Sequence, residues 1–332
     1  MEVSQDNKNK QNWDSFLLAN KGSFLQSWEW GAFQESLGKK AWRLAIGEPE
    51  RIFLQAQIIK ERFFFSSKSF LYIPFGPTWQ KNLSDDQIRE ALSLLWKRVG
   101  EIAKQENTIF CLAEPLKNPP RVNGFNFQKP TKRIQPEETL IVNLTQPTEQ
   151  IFNNFNSITR YNIRLAEKKG VQFKEVATTE ENMAIFYHLM QKTSQRDEFK
   201  AYSKDYFEQL LKKEQHGLET KLFFADYQGK IIAANIMVYF GPRTTHLHGA
   251  SDYEYRATKA PQFLQWQQVK QAKEAGFTEY DFWGISAKKW PSLTEYKKGF
   301  GGQELVYPAG QEIVYQKGWY SLYKLARKLL KR

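Results

Sequence analysis

The chain has 332 residues, 41% hydrophobic and 15% aromatic, which suits two globular domains with filled cores and excludes a disordered polymer. Its single cysteine, Cys111, excludes an internal disulfide and a metal site built on cysteines, and sits in the apolar run Thr108-Ile-Phe-Cys-Leu-Ala113 as a small buried hydrophobe. A formal net charge of +12 favours anionic partners: nucleic acid, a nucleotide-linked substrate or an acidic membrane.

Residues 1–20 carry no apolar h-region, and no apolar run has the length of a membrane span, so a cytoplasmic protein is expected. A helix is predicted over 24–38, with Ser27 as N-cap and Gly38 as its stop. Trp30, Phe33 and Leu37 share one face of it, the spacing of a core anchor. Strands follow at 41–46, 51–60 and 70–73, the first two joined by the turn at 47–50. Ser84 and Gln87 have capping-box spacing and open a helix to about 105, whose stripe is Ile88, Leu92, Leu95, Val99 and Ile102. A strand at 108–113 closes this unit. After a Pro- and Asn-rich loop comes a strand at 139–144, and a domain boundary is placed near Gln146-Pro147.

Residues 151–169 read as a helix. The second half then repeats the order of the first: strands at 221–227, 230–240 and 244–249, a long helix at 259–275 and a strand at 279–283. The matching order implies two similar α/β folds with mixed sheets, the long helices acting as crossovers. The expected domains are 13–146, completed by 305–332, and 147–304. In a last helix, 318–332, Trp319, Leu322, Ala326 and Leu329 share a face, with Lys324, Arg327, Lys328, Lys331 and Arg332 on the other sides. Two placements fit it: on an anionic membrane, or packed on the first domain with its charged side outward.

The stretch from Glu279 to Gly302 stands out for chemistry. A strand ending in Tyr280-Asp-Phe-Trp-Gly-Ile285 is followed by Tyr296-Lys-Lys-Gly-Phe-Gly-Gly302, where three glycines in four positions imply a sharp bend or a close approach. Lys297 on its own pattern reads as a solvated lysine, and Asp281 as a base, an orienting carboxylate or a structural acceptor. The four histidines are His188, His216, His246 and His248. His246 and His248 alternate along one strand face, a polar face or a substrate contact rather than a metal site. Arg160, Arg164 and Lys168 form one helical ridge, which suits either phosphates or solvent.

Several stretches together resemble one family. Phe24-Leu-Gln-Ser-Trp-Glu-Trp-Gly31, Arg160-Tyr-Asn-Ile-Arg-Leu-Ala-Glu-Lys-Lys-Gly-Val171, His248-Gly-Ala-Ser251, Leu264-Gln-Trp266, Tyr280-Asp-Phe-Trp-Gly-Ile285 and Tyr296-Lys-Lys-Gly-Phe-Gly301 are similar, in order, to the signatures of the Fem peptidyltransferases, which build peptidoglycan cross-bridges. The resemblance implies twin GNAT-like domains of the compact, arm-less type. It implies transfer of an amino acid from aminoacyl-tRNA, a co-substrate with no further cofactor or metal, to the stem-peptide amine of lipid II or UDP-MurNAc-pentapeptide. A monomer acting at the inner face of the plasma membrane is expected.

By the same resemblance Lys297 is the cation at the reacting ester, with Tyr296 where phenylalanine is usual; Asp281 joins them as a catalytic candidate on its own strand-end position. The family's diphosphate-binding lysine falls on Gln34, a departure for which Arg43 or Lys39 offer substitutes. A second diphosphate contact falls among Arg196, Lys200, Tyr202 and Tyr206. Trp28, Trp30, Arg160, Arg164, His248, Ser251 and Gly301 complete the substrate-binding candidates. Two alternatives stand beside this reading. An acyl-CoA N-acyltransferase would want a Gly-rich turn opening a long helix, and neither 249–260 nor 77–84 supplies a Gly-x-Gly pattern. A non-catalytic RNA-binding protein would use only the basic surface.

Overall fold

The computed structural model describes residues 1–5, 9–48, 51–63, 67–212 and 217–329. Residues 49–50 of the turn read above, and His216, Lys331 and Arg332, lie outside the described residues. In chain order the elements are β1 (Glu2–Gln5), α1 (Lys10–Ala19), α2 (Trp28–Ser36), β2 (Ala41–Glu48), β3 (Arg51–Arg62), β4 (Ser69–Pro74), β5 (Thr78–Trp79), α3 (Asp85–Gln105), β6 (Phe110–Glu114) and β7 (Phe127–Gln128). They continue as β8 (Glu138–Asn143), α4 (Thr148–Asn153), α5 (Ser157–Lys168), β9 (Gln172–Val176), α6 (Glu180–Arg196), α7 (Lys204–Leu210), β10 (Leu218–Tyr227), β11 (Lys230–Phe240), β12 (Arg243–Ser251), α8 (Ala260–Glu274), β13 (Glu279–Ile285), α9 (Pro291–Lys298) and β14 (Gln303–Val306). The last two are β15 (Gln311–Val314) and α10 (Lys317–Leu329).

Two compact units result: Met1–Glu137 with Tyr307–Arg332, and Glu138–Val306. Strand β8 precedes the boundary read near Gln146-Pro147, yet it sits inside the second sheet, between β13 and β14. A chain can leave one domain in an extended strand, and nothing in Thr139–Asn143 alone says which sheet will take it.

The first unit holds a mixed sheet ordered β1-β2-β3-β4-β6-β15-β7, with β5 on β3. Among the described residues only β4 and β6 run parallel in this sheet, and α3 is the crossover between them. The Ser84–Gln87 capping box forms, and all five expected stripe residues of α3 are buried. Each such side chain contributes roughly 2 kcal/mol of apolar burial. On β3 the alternation sends Leu54, Ala56 and Ile58 into this core. The Ser27 hydroxyl caps α2 by accepting from the Trp30 N–H at 3.1 Å; residues 24–26 form a separate 3₁₀ turn before it.

Helix α10 packs through Tyr320 and Tyr323 against Phe63, Phe70 and Phe110. Its other apolar residues Trp319, Leu322, Leu325 and Leu329 remain exposed. Packing on the first unit therefore uses the two tyrosines, not the Trp319–Leu322–Leu329 face.

The second unit is a sheet ordered β14-β8-β13-β12-β11-β10-β9, with α5 and α8 packed on one face. Strands β12 and β13 are its one parallel pair among the described residues, joined by α8. They pair only from Arg243↔Glu279 to Thr245↔Asp281, then run on to Ser251 and Ile285 without pairing. The corresponding strands of the first unit, β4 and β6, stay paired to Pro74↔Glu114. Only the second parallel pair opens along its length.

Candidate active site

Two bulges shape this opening. On β13 the register against β8 shifts between Asp281 and Gly284, and Trp283 there adopts a left-handed φ of 58°. For a bulky residue this conformation costs on the order of 1–2 kcal/mol and needs support from its surroundings. The support is visible: the Asp281 Oδ1 accepts from the Trp283 N–H at 2.8 Å and from Thr139 Oγ1 at 2.5 Å. The kink turns the successive carbonyls of Trp283 and Gly284 toward one point, and Lys297 of α9 reaches both, at 3.3 and 2.7 Å. Its side chain is buried and the residue is only 6% exposed.

The electrostatics follow from that burial. Desolvation pushes the Lys297 ammonium down to about 8, against the attraction of Asp281. Burial also pushes the Asp281 carboxyl up, while Arg243, Thr139, the Trp283 N–H and Lys297 pull it back. Arg243 approaches Asp281 at 3.5 Å and pairs with Glu279 at 2.8 Å. A lysine poised near neutrality, on the open side of a splayed strand pair, can stabilise negative charge on an oxygen or pass it a proton. Tyr296, one residue earlier, donates its hydroxyl to the Pro261 carbonyl at 3.1 Å and packs its ring edge-on to Phe300. Burial pushes that phenol up, so it stays neutral.

The second bulge separates the two histidines. Met237 pairs with His246 and Ile236 with His248, so Leu247 is the extra residue of β12. Adjacent Met237 and Ile236 point to opposite faces, and so do their partners. The expected single face of His246 and His248 is thereby corrected: the bulge puts the two rings on opposite sides. His248 packs edge-on to Tyr206 and Phe207, with the Tyr206 hydroxyl 3.4 Å from its Nε2. Tyr202 stacks on Tyr206 with ring centroids 4.0 Å apart. Burial holds the His248 imidazole down to about 4, so it is neutral.

His246, on the α8 side, belongs to a polar network that the sequence reading did not find. Its Nδ1 lies 3.0 Å from Gln265 Nε2, and the Tyr280 hydroxyl donates to Gln265 Oε1. Asn235 Nδ2 donates to Gln268 Oε1 at 2.8 Å. Gln265, Gln268 and Tyr280 are at most 1% exposed. The buried His246 Nε2 has no hydrogen-bond partner among the described residues, and neither does Gln268 Nε2. Burial first, then the charges of Lys297 and His248, keeps the His246 imidazole well below its ordinary value. The signal was present: Asn235 interrupts an apolar strand, and Gln265 and Gln268 interrupt an apolar helix stripe.

The remaining candidates fall elsewhere. Ser251 ends β12, where its N–H donates to Thr193 Oγ1 at 2.9 Å and its hydroxyl lies 3.4 Å from Arg196. Lys200 is exposed between α6 and α7. Arg160 donates to the Phe155 and Asn153 carbonyls, tying α5 to the turn before it, and Arg164 lies over Phe152. Gly301, at φ +65°, lets the chain pass Asn154: a Cβ there would stand 2.8 Å from the Asn154 carbonyl oxygen. A groove of about 520 Å³ runs along β9 and β10, at the sheet edge away from Lys297.

Four candidates lie in the first unit. Trp30 is 8% exposed and packs between Phe24 and Phe33, a core position. The Arg43 guanidinium lies 4.2 Å from the Trp28 ring centre and donates to the Trp28 carbonyl at 3.0 Å. Gln34 is buried, and its Oε1 accepts from Lys39 Nζ at 2.8 Å. The neighbouring lysine therefore puts a cation at the tip of this glutamine.

The second unit thus combines a splayed parallel strand pair with a buried lysine at the opening. Residues 153–298 match the model of the acetyltransferase (GNAT) domain. The fold matches a crystal structure of FemX with a TM-score of 0.81, covering 98% of this chain and 100% of that one at 20% identity. A tandem GNAT protein from the clavulanic acid pathway matches at 0.58, with 10% identity over 94% and 98% of the two chains. Among curated proteins, the lipid II:glycine glycyltransferase of Staphylococcus epidermidis is 22% identical over 84% of this chain and 83% of its own. That of Staphylococcus saprophyticus is 24% identical over 82% of each. The chain is built as two GNAT-like domains and is similar, over most of its length, to lipid II:glycine glycyltransferases and to FemX.

Proposed function

We propose that this protein transfers an amino acid from aminoacyl-tRNA to the stem-peptide amine of a lipid-linked peptidoglycan precursor at the inner membrane face, with the chemistry at Lys297. The observation that carries the chemistry is the buried Lys297 ammonium, held 2.7 Å from the Gly284 carbonyl where β12 and β13 part. The amine attacks the ester carbonyl, a C–N bond forms and the C–O bond to the ribose breaks. The amine's proton ends on the departing ribose oxygen, and the Lys297 cation stabilises the charge developing there. Asp281 orients the bulge that carries both carbonyls. Relatives named for glycyl transfer to lipid II favour the lipid-linked acceptor, and the net charge of +12 suits a tRNA donor.

The test supplies charged tRNAs carrying a labelled amino acid, or labelled acyl-CoA, with lipid-linked or UDP-linked precursor. Label moving from tRNA to the lipid-linked precursor is expected. Transfer from CoA alone would replace the donor, and transfer to UDP-linked precursor alone would replace the acceptor.

A further inference from the structure

We propose that helix α10 is a membrane-docking element that seats the protein on an anionic lipid surface. The inference rests on the lipid-linked-acceptor reading above and adds the surface that would bring the chain to such an acceptor. At about 100° per residue, the helix has three sides. Tyr320 and Tyr323 form the side packed into the first unit, against Phe110 and Phe63. Trp319, Leu322, Leu325 and Leu329 form a second side and are 47%, 57%, 56% and 62% exposed, with Ala326 exposed among them. Lys317, Lys324 and Lys328 form the third, all exposed. Lys68 adds a cation over the Trp319 ring, 5.0 Å from its centre.

Four large apolar side chains on one helix face are more than a solvated helix carries without a partner. The choice of partner follows from the charge. The exposed charges along α10 are all basic, since Lys317–Leu329 contains no acidic residue. A protein groove would match the leucines alone. An anionic bilayer matches both sides, taking the leucines below the headgroups while the lysines meet lipid phosphates and the indole sits at the interface. A helix lying in the interface plane needs no spanning segment, and no described helix is long and apolar enough to cross a membrane.

The experiment is co-sedimentation of the full chain with vesicles of phosphatidylcholine containing about one-quarter phosphatidylglycerol, and with phosphatidylcholine alone. The parent should partition to the anionic vesicles at least about tenfold better, and added salt should reduce the difference. Leu322→Gln with Leu329→Gln should cut binding to both vesicle types about tenfold or more, while Lys324→Glu with Lys328→Glu should remove the anionic preference. All four positions are exposed, so the fold is retained and transfer to a detergent-dispersed acceptor should persist. A parent that ignores both vesicles, or a leucine variant that binds as the parent does, overturns the proposal. So does a parent dimer that the leucine changes dissociate, because the face would then belong to a second copy. Vesicle binding is measured without acceptor. A parent that binds vesicles but modifies only UDP-linked precursor keeps the docking surface and loses the acceptor reading. A parent that modifies lipid-linked precursor without binding vesicles does the reverse.

Discussion

The Lys297 ammonium donates to the carbonyl of Gly284 at 2.7 Å, and this bond joins the one buried lysine of α9 to the bulge that opens β13 away from β12. A cation fixed by backbone is preorganised: it has no solvent shell to rearrange as charge develops beside it. Lys297→Ala should therefore lower kcat by about a hundredfold with a smaller change in KM, the scale of losing one preorganised partner of an oxyanion. Transfer kinetics with charged tRNA read this directly. A variant within a few-fold of the parent would remove Lys297 from the chemistry.

The same lysine sets a pH dependence. Its folded value, about 8, lies below the ordinary lysine value of 10.5, because burial disfavours the charged form. If the charged form is the active one, kcat should fall as pH rises through about 8, and that limb should be missing in Lys297→Ala. Stability should move the other way. Between about 8 and 10.5 the unfolded chain holds a proton that the folded chain has lost, so folding gains stability with rising pH across that window. The full difference is about 3 kcal/mol. Denaturant midpoints of the parent and of Lys297→Met, followed through the window, should converge on the alkaline side if Lys297→Met is the more stable at neutral pH.

Most elements that periodicity announces form where it places them, but the helix expected over 151–169 breaks into Thr148–Asn153 and Ser157–Lys168, with Asn156 capping the second. The α3 stripe and its capping box, the two long crossovers and the repeated strand order are local patterns, and local patterns survive folding. What the sequence does not announce is register. The bulges at Leu247 and at Phe282–Trp283 decide that His246 and His248 part company and that two carbonyls converge on Lys297, yet nothing at those positions forces an extra residue. The side taken by α10 was hidden for a related reason: two tyrosines with modest hydropathy supply the packing, and the more apolar leucines face outward. The membership of β8 in the second sheet depends on partners more than a hundred residues away in sequence, at Asp281 and Gln303.

The glycines after α9 differ from other glycines in a measurable way. Gly301 and Gly302 have φ of +65° and +96°, and a Cβ would come within 2.8 Å of the Asn154 carbonyl oxygen and 2.7 Å of that of Ile141. Gly276 also has positive φ, +88°, with nothing within 4 Å. Gly276→Ala should cost about 1 kcal/mol, the backbone cost alone. Gly301→Ala should cost about 2 kcal/mol or more, because a backbone oxygen must also move. Thermal unfolding of the two variants measures the difference, and equal losses would mean that the close approach to Asn154 is not a constraint.

Gly249 offers a test of the buried network beside Lys297. An added Cβ would stand 2.8 Å from His246 Nε2 and 3.0 Å from Asn235 Oδ1, two groups that cannot retreat easily because Gln265 and Gln268 hold them from the α8 side. Gly249→Ala should therefore turn the His246 ring, disturb the Gln265–Tyr280 bond and destabilise the second unit by about 1–2 kcal/mol. If the network positions the open strand pair, kcat should fall by about tenfold or more while Gly276→Ala leaves it unchanged. His246→Asn separates a positional role from a merely structural one. The shorter amide keeps a polar group facing Gln265 and makes room for the methyl, so the double variant Gly249→Ala with His246→Asn should recover stability. Recovered stability with kcat still low would assign the ring of His246 a part in holding the reacting groups. Recovery of both would leave the network a purely structural support for β12.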